Sequence, residues 1–508
     1  MRIKRDKKLK YVLTGEEAQY VDKATRENFH MDDLVLMERA AISLSEEIKK
    51  RFSKDEGILF LCGTGNNGAD GVCAGRILFN EGYSNIRICL ALGKEKLSKA
   101  MKKQLSVAEA YKVPFLDELP ENDGFSVIVD ALFGTGLNRP IEGRGAAVID
   151  FINSSDAFVI SCDSSSGIDH ENGAVNGPCV KADLSVSFAF LKRGQVLFPG
   201  KEYSGETVVK DIGISPCAFS DDRPKTVLFE KEDVKKLLPK RSRNSHKGSY
   251  GKVLCIAGSV GMAGASYFSA KASYLSGAGL VRLYSPEENR VILQERLPEA
   301  VMTPFVEKHE TEPLSDLIFD HDVVLIGPGI GKGKGARDIL DFVLLNASCP
   351  VVLDADALNI IAEDKSLLNC PNSELILTPH MGELSRLLGK SVPFVRDHIF
   401  ELCDNFVSAH QLSLIAKDAV TLIFSPDKNT VINPTGDDSL STAGSGDILS
   451  GIIAGLIASG AKPYDAAVMA PFIHGLAGEA AGKSFSSRSV TAQDILDAIP
   501  SVFSEVLT

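Results

Sequence analysis

The residues best suited to chemistry lie late in the chain, where small residues lead into an apolar run. Gly444-Ser-Gly446 is followed directly by Asp447, and residues 448–458 are predicted to form a helix. Free N–H groups at a helix start bind anions, helped by the helix dipole. The carboxylate of Asp447 could accept a hydroxyl proton there as a phosphoryl group arrives. An aspartate in a first helical turn is often only a cap, but the Gly-Ser-Gly run favours phosphoryl chemistry.

A glycine-rich loop follows the predicted strand Ile58–Cys62. Its G-x-G-x-x-G spacing, from Gly63 to Gly68, matches dinucleotide-binding loops but is a weak signal alone. An ordinary Rossmann site also needs an acid at the end of the second strand to hold the ribose, and none occurs there. Hydride transfer is therefore not expected. The polar side chains of this loop instead predict polar recognition or ion ligation, with helix capping as the alternative; they are Asn66, Asn67 and Asp70.

Acids and hydroxyls also follow two further predicted strands. Asp130 ends an apolar run, and Asp163 and Ser166 come after the next one. An unpaired carboxylate in such a place is costly, so a cation or several donors should satisfy it. Each acid singly is best read as a turn cap. Together, however, Asn67, Asp130 and Ser166 at neighbouring strand ends predict an all-oxygen cation site.

The second half of the chain repeats this pattern of loops at strand ends. The run Gly327–Gly333 is not a Walker A loop, because its spacing is wrong and no Ser or Thr follows its lysine. Asp354, His380 and the pair Lys417-Asp418 also follow predicted strands. A single histidine at a helix start is usually a cap or a surface residue.

The elements that must position these residues alternate between short apolar runs and amphipathic stretches. The first fifty residues are predicted to be helical, with a capping box from Thr14 to Glu17. A parallel α/β sheet covered on both faces should follow, and a second α/β series should begin at Lys252. A change of texture predicts a boundary near 225, giving domains 1–224 and 225–508. The expected strands are Ile58–Cys62, Ile86–Ala91, Val127–Leu132, Phe158–Cys162, Leu184–Ala189, 252–258, 280–284, 322–327, 350–354, 374–378, 412–416 and 420–424.

Composition excludes several classes of protein. The 508 residues are 44% apolar and 24% charged, which is typical of globular proteins, and the net charge of −12 argues against a nucleic-acid binder. No apolar run approaches the roughly 18–20 residues of a membrane span, and the basic N-terminus lacks the apolar stretch of a secretory signal. The ten scattered cysteines include no Cys-x-x-Cys pair, which fits a reducing cytoplasm.

Several motifs occur together in a fixed order: Asp130-Ala-Leu-Phe-Gly-Thr-Gly-Leu, Ser165-Ser-Gly-Ile-Asp, His246-Lys-Gly-x-Tyr-Gly-Lys, Gly327-Pro-Gly-Ile-Gly and Gly444-Ser-Gly-Asp. Over nearly its whole length the chain resembles the bifunctional NAD(P)H-hydrate repair enzymes. The resemblance implies a Rossmann-like three-layer sandwich with epimerase activity, followed by a ribokinase-like dehydratase domain. The substrates would be NADH and NADPH hydrates with a hydroxyl at C6. The dehydratase would phosphorylate that hydroxyl with ADP or ATP and Mg²⁺, usually ADP, and then eliminate phosphate.

The resemblance also assigns roles to residues of this chain. Asp447 would be the base that activates the C6 hydroxyl, and Asp163 is the candidate for proton transfer in the epimerase. Asn67, Asp130 and Ser166 would ligate K⁺. A homo-oligomer is also implied. The hydrate-binding residues would be Asn66, Asn67, Gly68, Ala69, Asp70, Gly134, Thr135, Gly136, Leu137, Asn138, Arg139 and Pro140 in the first domain, and Gly329, His380, Met381, Gly382, Glu383 and Arg386 in the second. The nucleotide-binding residues would be Lys417, Asp418, Ala419, Val420, Thr421, Gly444, Ser445 and Gly446.

The chain departs from the family pattern at Ala69, Ser165, Met381, Asp418 and Ala443. Asp418 adds a negative charge near the expected diphosphate. Two other interpretations stay open. One is a ribokinase-like small-molecule kinase that uses Asp447 and releases a stable phosphorylated product. The other is a non-catalytic binding or scaffold role for the first half.

Overall fold

The structure is a computed structural model that describes residues 10–120, 124–136, 139–220, 224–306, 312–371 and 374–507. The chain divides into two compact units, Met1–Thr226 and Val227–Thr508. No helix among these described ranges is both long and apolar enough to cross a membrane.

The first unit is built on a parallel sheet. The strands of the unit are β1 (Lys10–Leu13), β2 (Ile58–Cys62), β3 (Ile86–Leu90), β4 (Phe115–Leu116), β5 (Val127–Ala131), β6 (Phe158–Cys162), β7 (Leu184–Phe188), β8 (Leu191–Lys192) and β9 (Glu206–Lys210). All except β1 and β8 belong to this sheet. Its helices are α1 (Gly15–Phe29), α2 (Asp33–Arg51), α3 (Asn66–Asn80), α4 (Lys99–Ala110), α5 (Arg144–Ser154), α6 (Arg193–Val196) and α7 (Gly200–Ser204). The sheet order is β4-β3-β2-β5-β6-β7-β9, and all of its neighbours are parallel.

Both faces of this sheet are covered. In β2, Phe60 faces the core that contains α2 and α3, whereas Leu59 and Leu61 face a second core that contains α5. Every residue of β2 is therefore buried, as is typical of a strand inside an α/β sandwich. The prediction of a parallel sheet with helices on both sides is confirmed, and its five strands occur within one or two residues of their predicted ends.

The prediction that the first fifty residues are helical is wrong at its start. Lys10–Leu13 forms β1, which pairs with β8 through Val12 and Leu191. Four residues are too few to show a period of two, so only the distant partner strand reveals this element. The helix that follows begins with the predicted capping box: the Thr14 side chain accepts from Glu17 N, and Glu17 accepts from Thr14 N.

The second unit contains a mixed sheet. Its strands are β10 (Thr226–Leu228), β11 (Lys252–Ile256), β12 (Leu280–Pro286), β13 (Val301–Phe305), β14 (Val323–Ile326), β15 (Val351–Leu353), β16 (Leu375–Leu377), β17 (Ser413–Ala416), β18 (Thr421–Phe424) and β19 (Thr430–Asn433), and β10 begins at the last residue of the first unit. From β13 the order runs β13-β12-β11-β14-β15-β16-β17-β18-β19. Strands up to β17 are parallel, and β18 and β19 continue the sheet as antiparallel strands.

The helices of this unit are α8 (Lys231–Leu237), α9 (Ala263–Leu275), α10 (Arg290–Arg296), α11 (Glu312–Phe319), α12 (Lys334–Asn346), α13 (Asp356–Glu363), α14 (Met381–Leu388), α15 (Val392–Asp397), α16 (Ile399–His410), α17 (Ser445–Ala458), α18 (Pro463–Phe485) and α19 (Ala492–Leu507). Helix α17 starts three residues before its predicted start at 448, so Asp447 lies within its first turn.

Helix α17 packs unusually closely on α9. A Cβ on Gly451 would lie 2.3 Å from the carbonyl oxygen of Ser269, and one on Gly455 would lie 2.4 Å from that of Ser273. The hydroxyl of Ser273 donates to the carbonyl of Gly451 at 3.0 Å. Only glycine permits backbones to approach this closely, so this contact sets where the start of α17 lies.

Candidate active sites

The first unit has a large cleft beside the carboxyl ends of β2, β5 and β6, with a volume of about 1240 Å³. The segments after these three neighbouring strands supply Asn67, Thr135 and Asp163 to its wall. Ligands of open α/β sheets bind at such an edge. Among the predicted hydrate-binding residues, those that line this cleft are Asn66, Asn67, Asp70, Gly134, Thr135, Gly136 and Arg139.

The other predicted residues of this set lie elsewhere. Gly68 and Ala69 are buried in the first turn of α3, behind the cleft wall, and Pro140 is exposed outside the lining. Leu137 and Asn138 lie outside the described residues. The methyl group of Ala69 fits fully buried in the helix.

Asp163 is held by a network that the sequence did not reveal. Its φ of 66° is in the left-handed region, a strained conformation often found at functional sites. Its Oδ1 accepts from Phe188 N at 2.9 Å and from the ammonium of Lys192, which is 3% exposed. Gln195 Nε2 donates to the carbonyl of Asp163 at 2.8 Å. These contacts hold the carboxylate at a fixed position beside the cleft.

Two further carboxyl groups lie near Asp163. Burial, followed by the charge of Asp163, raises the pKa of Asp22 to about 6, although Asp22 stands on the open wall of the cleft. Burial and the charges of Asp163 and Asp22 raise the pKa of Asp70 well above its ordinary value. The cleft thus combines a carboxyl group that is paired with a lysine and two carboxyl groups whose pKa values are raised.

Asn67 and Ser166 meet at one carbonyl oxygen, and Asp130 is hydrogen-bonded to Ser166. Asn67 Nδ2 donates to the carbonyl of Phe133 at 2.9 Å, and Ser166 Oγ lies 3.3 Å from the same atom. Ser166 also donates to Asp130, from Oγ at 2.7 Å and from its backbone N at 2.9 Å. Ser161 Oγ adds a third bond to this fully buried carboxylate, at 3.0 Å. Carboxylate, hydroxyl, amide and carbonyl oxygens are a donor set that suits a hard cation.

In the second unit, the start of α17 lies beside an ion pair. Lys417 Nζ lies 3.2 Å from Asp354 Oδ1. A Cβ on Gly446 would be 3.4 Å from Lys417 Nζ and 4.0 Å from Asp354 Oδ2. The first residue of α17, Ser445, follows a Gly444 cap that offers no side-chain acceptor to the free N–H groups. These N–H groups and the ammonium make a site suited to an anion.

Asp447 and Glu383 share the environment of this ion pair. Burial, together with the charge of Asp354, raises the pKa of Asp447 to about 7, against the lowering effect of Lys417. Burial likewise raises the pKa of Glu383 to about 7. A carboxyl group with a pKa near neutrality can act as a general base at physiological pH.

His380 caps α14 next to these groups. Its Nδ1 accepts from Gly382 N at 3.0 Å, and its backbone N–H donates to Glu383 Oε2 at 2.9 Å. Burial and the charges of Lys417 and Arg386 lower the pKa of His380. The backbones of His380 and Lys417 are bridged, which joins the ends of β16 and β17.

The remaining predicted residues of this unit lie around the same strand ends. Asp418 pairs with Arg396, whose guanidinium lies 3.0 Å from Oδ2, so its charge is partly neutralised. Ala419 is exposed, Val420 is buried and Thr421 begins β18. Gly329 has a φ of 64° and approaches Ala265 of α9.

The departures from the family pattern fit their surroundings. Ser165 is buried and donates to the carbonyl of Tyr203 at 2.8 Å while accepting from Ser161 at 3.1 Å. Met381 is buried in the first turn of α14, and Ala443 is exposed.

Comparison with known proteins decides the family. A family model described as NAD(P)H-hydrate dehydratase matches residues 253–501, and one described as YjeF-related protein N-terminus matches residues 33–194. A bifunctional NAD(P)H-hydrate repair enzyme of Moorella thermoacetica is 34% identical over 511 residues, covering 97% of this chain and 96% of that protein. The chain belongs to the bifunctional NAD(P)H-hydrate repair enzymes.

Further relatives agree with this family. The repair enzyme of Coxiella burnetii is 37% identical, over 91% of this chain and 93% of its own. A ribokinase-like protein of Enterococcus faecalis is similar in structure, with a TM-score of 0.51, 26% identity, and coverage of 56% of this chain and 96% of that one. The prediction of a ribokinase-like second half is confirmed.

Four residues of the two sites in this repair-enzyme chain were not singled out as site residues from the sequence: Asp22, Lys192, Asp354 and His474. His474 stands among apolar residues and Lys192 directly follows the apolar run Phe188–Leu191, and a charged or polar group in such a place is a usable signal. His474 is buried and its Nε2 lies 3.1 Å from Ser445 Oγ, at the start of α17. Asp22 carries no local signal, because it lies on an amphipathic helix rich in charged residues.

Proposed function

We propose that the chain repairs hydrated nicotinamide cofactors, with the first unit interconverting the R and S hydrates and the second dehydrating the S form. The observation that carries the proposal is Asp447, a base of near-neutral pKa at a helix start beside Lys417. The cleft around Asp163 and Lys192 supports the epimerase role.

In the second unit, the Asp447 carboxylate accepts the C6 hydroxyl proton as the hydroxyl oxygen attacks the terminal phosphorus of the nucleotide. When ADP is the donor, AMP is the leaving group and the hydrate becomes phosphorylated at C6. Departure of phosphate from C6, with transfer of the C5 proton to water, restores the C5=C6 bond, so that hydrate and ADP become NAD(P)H, AMP and phosphate. The negative charge on the transferring phosphoryl group is stabilised by the ammonium of Lys417 and by the N–H groups of Ser445 and Gly446.

Mg²⁺ enters this reaction with the nucleotide. Among the described residues no group of three His, Cys, Asp or Glu side chains could bind a metal alone, and Mg²⁺ is usually held by one or two carboxylates together with phosphates. Asp354 or Glu383 could serve as such a carboxylate. The proposal also includes a homo-oligomer in a reducing cytoplasm.

The test is recovery of absorbance at 340 nm from a mixed-epimer NADPH hydrate, with K⁺, Mg²⁺ and either ADP, ATP or neither. Complete nucleotide-dependent recovery is expected, with ADP the better donor. A stable phosphorylated product without recovery would favour a ribokinase-like kinase, and no change with either nucleotide would contradict the repair function.

We further propose that K⁺ binds at Asn67, Asp130 and Ser166. Burial raises the pKa of Asp130, and a bound cation would stabilise its ionised form. Epimerisation should rise with KCl but not with tetramethylammonium chloride, and Asp130→Asn should remove this response together with any K⁺-dependent rise in the unfolding temperature. Asp150→Asn, an exposed change on α5, is the control. An unchanged K⁺ response in Asp130→Asn would place the ion elsewhere.

A further inference from the structure

Helix α1 presents an ionisable group to the cleft of the first unit. Gln19 and Asp22, one turn apart, both line the cleft. The capping box at Thr14 fixes where the helix begins. Gln19 Nε2 lies 3.4 Å from the carbonyl of Thr135, in the loop predicted to hold the hydrate. Asp22 is therefore held on the wall of the cleft that is predicted to bind the hydrate.

The charges facing Asp22 come from several elements. They are Arg26 on α1, Asp33 on α2, Asp70 on α3, Asp163 after β6 and Lys192 at the end of β8. Arg26 and Asp33 form an exposed ion pair at 3.2 Å. The ammonium of Lys192 is committed to Asp163 Oδ1 and to Ser187 and Phe188.

This distribution separates the roles of the carboxyl groups. The buried ammonium of Lys192 is paired with Asp163, whereas burial and the charge of Asp163 raise the pKa values of Asp22 and Asp70. Carboxyl groups whose environments push their pKa values apart in this way can serve as an acid and a base in one reaction. Asp163 Oδ2 accepts no hydrogen bond from the residues that the structure describes, which leaves it free to take a proton.

We propose that Asp22 is the catalytic acid of epimerisation and that Asp163 is its base; this rests on the proposed epimerase function of the same cleft. The lone pair of N1 expels the C6 hydroxyl, which takes the proton of Asp22 and leaves as water. A second water adds to the opposite face of the N1=C6 cation and gives one proton to Asp163. The product has the inverted C6 hydroxyl, and the proton returns from Asp163 to Asp22 through water in the open cleft.

The test uses the full chain and purified R epimer of NADPH hydrate without nucleotide, so that only interconversion is followed, by chromatographic separation of the epimers. Asp22→Asn should lower kcat about 100-fold. Wild-type kcat should fall as the pH rises through about 6, because the acid loses its proton, and this limb should be absent in Asp22→Asn. Asp33→Asn removes a neighbouring charge and should keep both the limb and most of the activity.

Dehydration of pure S epimer with nucleotide shows that the second unit of the same variant is folded, and an unfolding temperature like that of wild type shows that the first unit is folded as well. If wild type fails to interconvert the epimers, the epimerase function itself is wrong. If wild type is active and Asp22→Asn matches it, or changes only KM while the pH limb persists, Asp22 is not the acid and the proposal is overturned.

Discussion

Replacing Asp447 by asparagine is expected to lower dehydration of the S hydrate by about 1,000-fold or more, with little change in KM. Asparagine keeps the shape of the side chain and its place at the start of α17 but cannot accept the hydroxyl proton. Because burial and Asp354 raise the pKa of Asp447 to about 7, wild-type activity should fall as the pH drops below about 7. Steady-state rates with S-NADPH hydrate and ADP from pH 5.5 to 9 measure both effects.

The same variant separates chemistry from folding. A carboxyl group whose pKa is raised in the folded state from 3.8 to about 7 binds protons more tightly there than in the unfolded chain, so its contribution to stability is lost as the pH rises across that range. Asp447→Asn removes this loss and should unfold at a higher temperature than wild type at pH 8. Asp341→Asn, an exposed change on α12, should alter neither property. An active Asp447→Asn would exclude Asp447 as the base.

Replacing Asp163 by asparagine is expected to divide the two activities. Nucleotide-dependent recovery of NADPH from a mixed-epimer preparation should be as fast as wild type until the S hydrate is used, and should then continue only at the spontaneous rate of epimerisation. The direct epimerisation rate should fall about 100- to 10,000-fold, because Asp163 loses its charge and Lys192 loses its main partner. A 340 nm time course with ADP displays both phases.

A matched change lies six residues away. Asp169 accepts from Glu171 N at 2.8 Å, a contact within a local turn, so Asp169→Asn should recover the full absorbance in a single phase. A single-phase, complete recovery in Asp163→Asn as well would exclude Asp163 from proton transfer. Loss of the fast phase would instead indicate a general folding defect.

The sequence predicts the parts of the fold whose signal is local. β2 and β6 occur at their predicted bounds, because buried parallel strands are continuous apolar runs between turns. The adjacency of the segments bearing Asn67, Asp130 and Ser166 also follows from topology, since β2, β5 and β6 are neighbours. A local signal of this kind needs no knowledge of distant partners.

Features that depend on distant partners could not be predicted in the same way. β1 is a strand only because β8 pairs with it. Lys192 follows Asp163 by 29 residues, so their ion pair depends on the fold and not on neighbouring sequence. Gln195, on α6, also bonds to Asp163, through its backbone carbonyl. Similarly, the sequence places the negative charge of Asp418 near the expected diphosphate, and only the structure shows that Arg396 on α15 partly neutralises this charge.

The glycine contact between α17 and α9 links the tolerance of the chain for mutation to its catalytic geometry. An added methyl group at Gly451 would force the helices apart by about 1 Å, and a displacement of that size can cost about 100-fold in rate. Gly451 is one turn from Asp447, so the displacement would reach the base directly. In a saturation-mutagenesis survey of dehydratase activity, positions 451 and 455 should therefore both show large losses, although a side chain at either position would face α9. In such a survey, substitutions that displace α17 and substitutions that remove the base at its start would both appear as losses of the same activity.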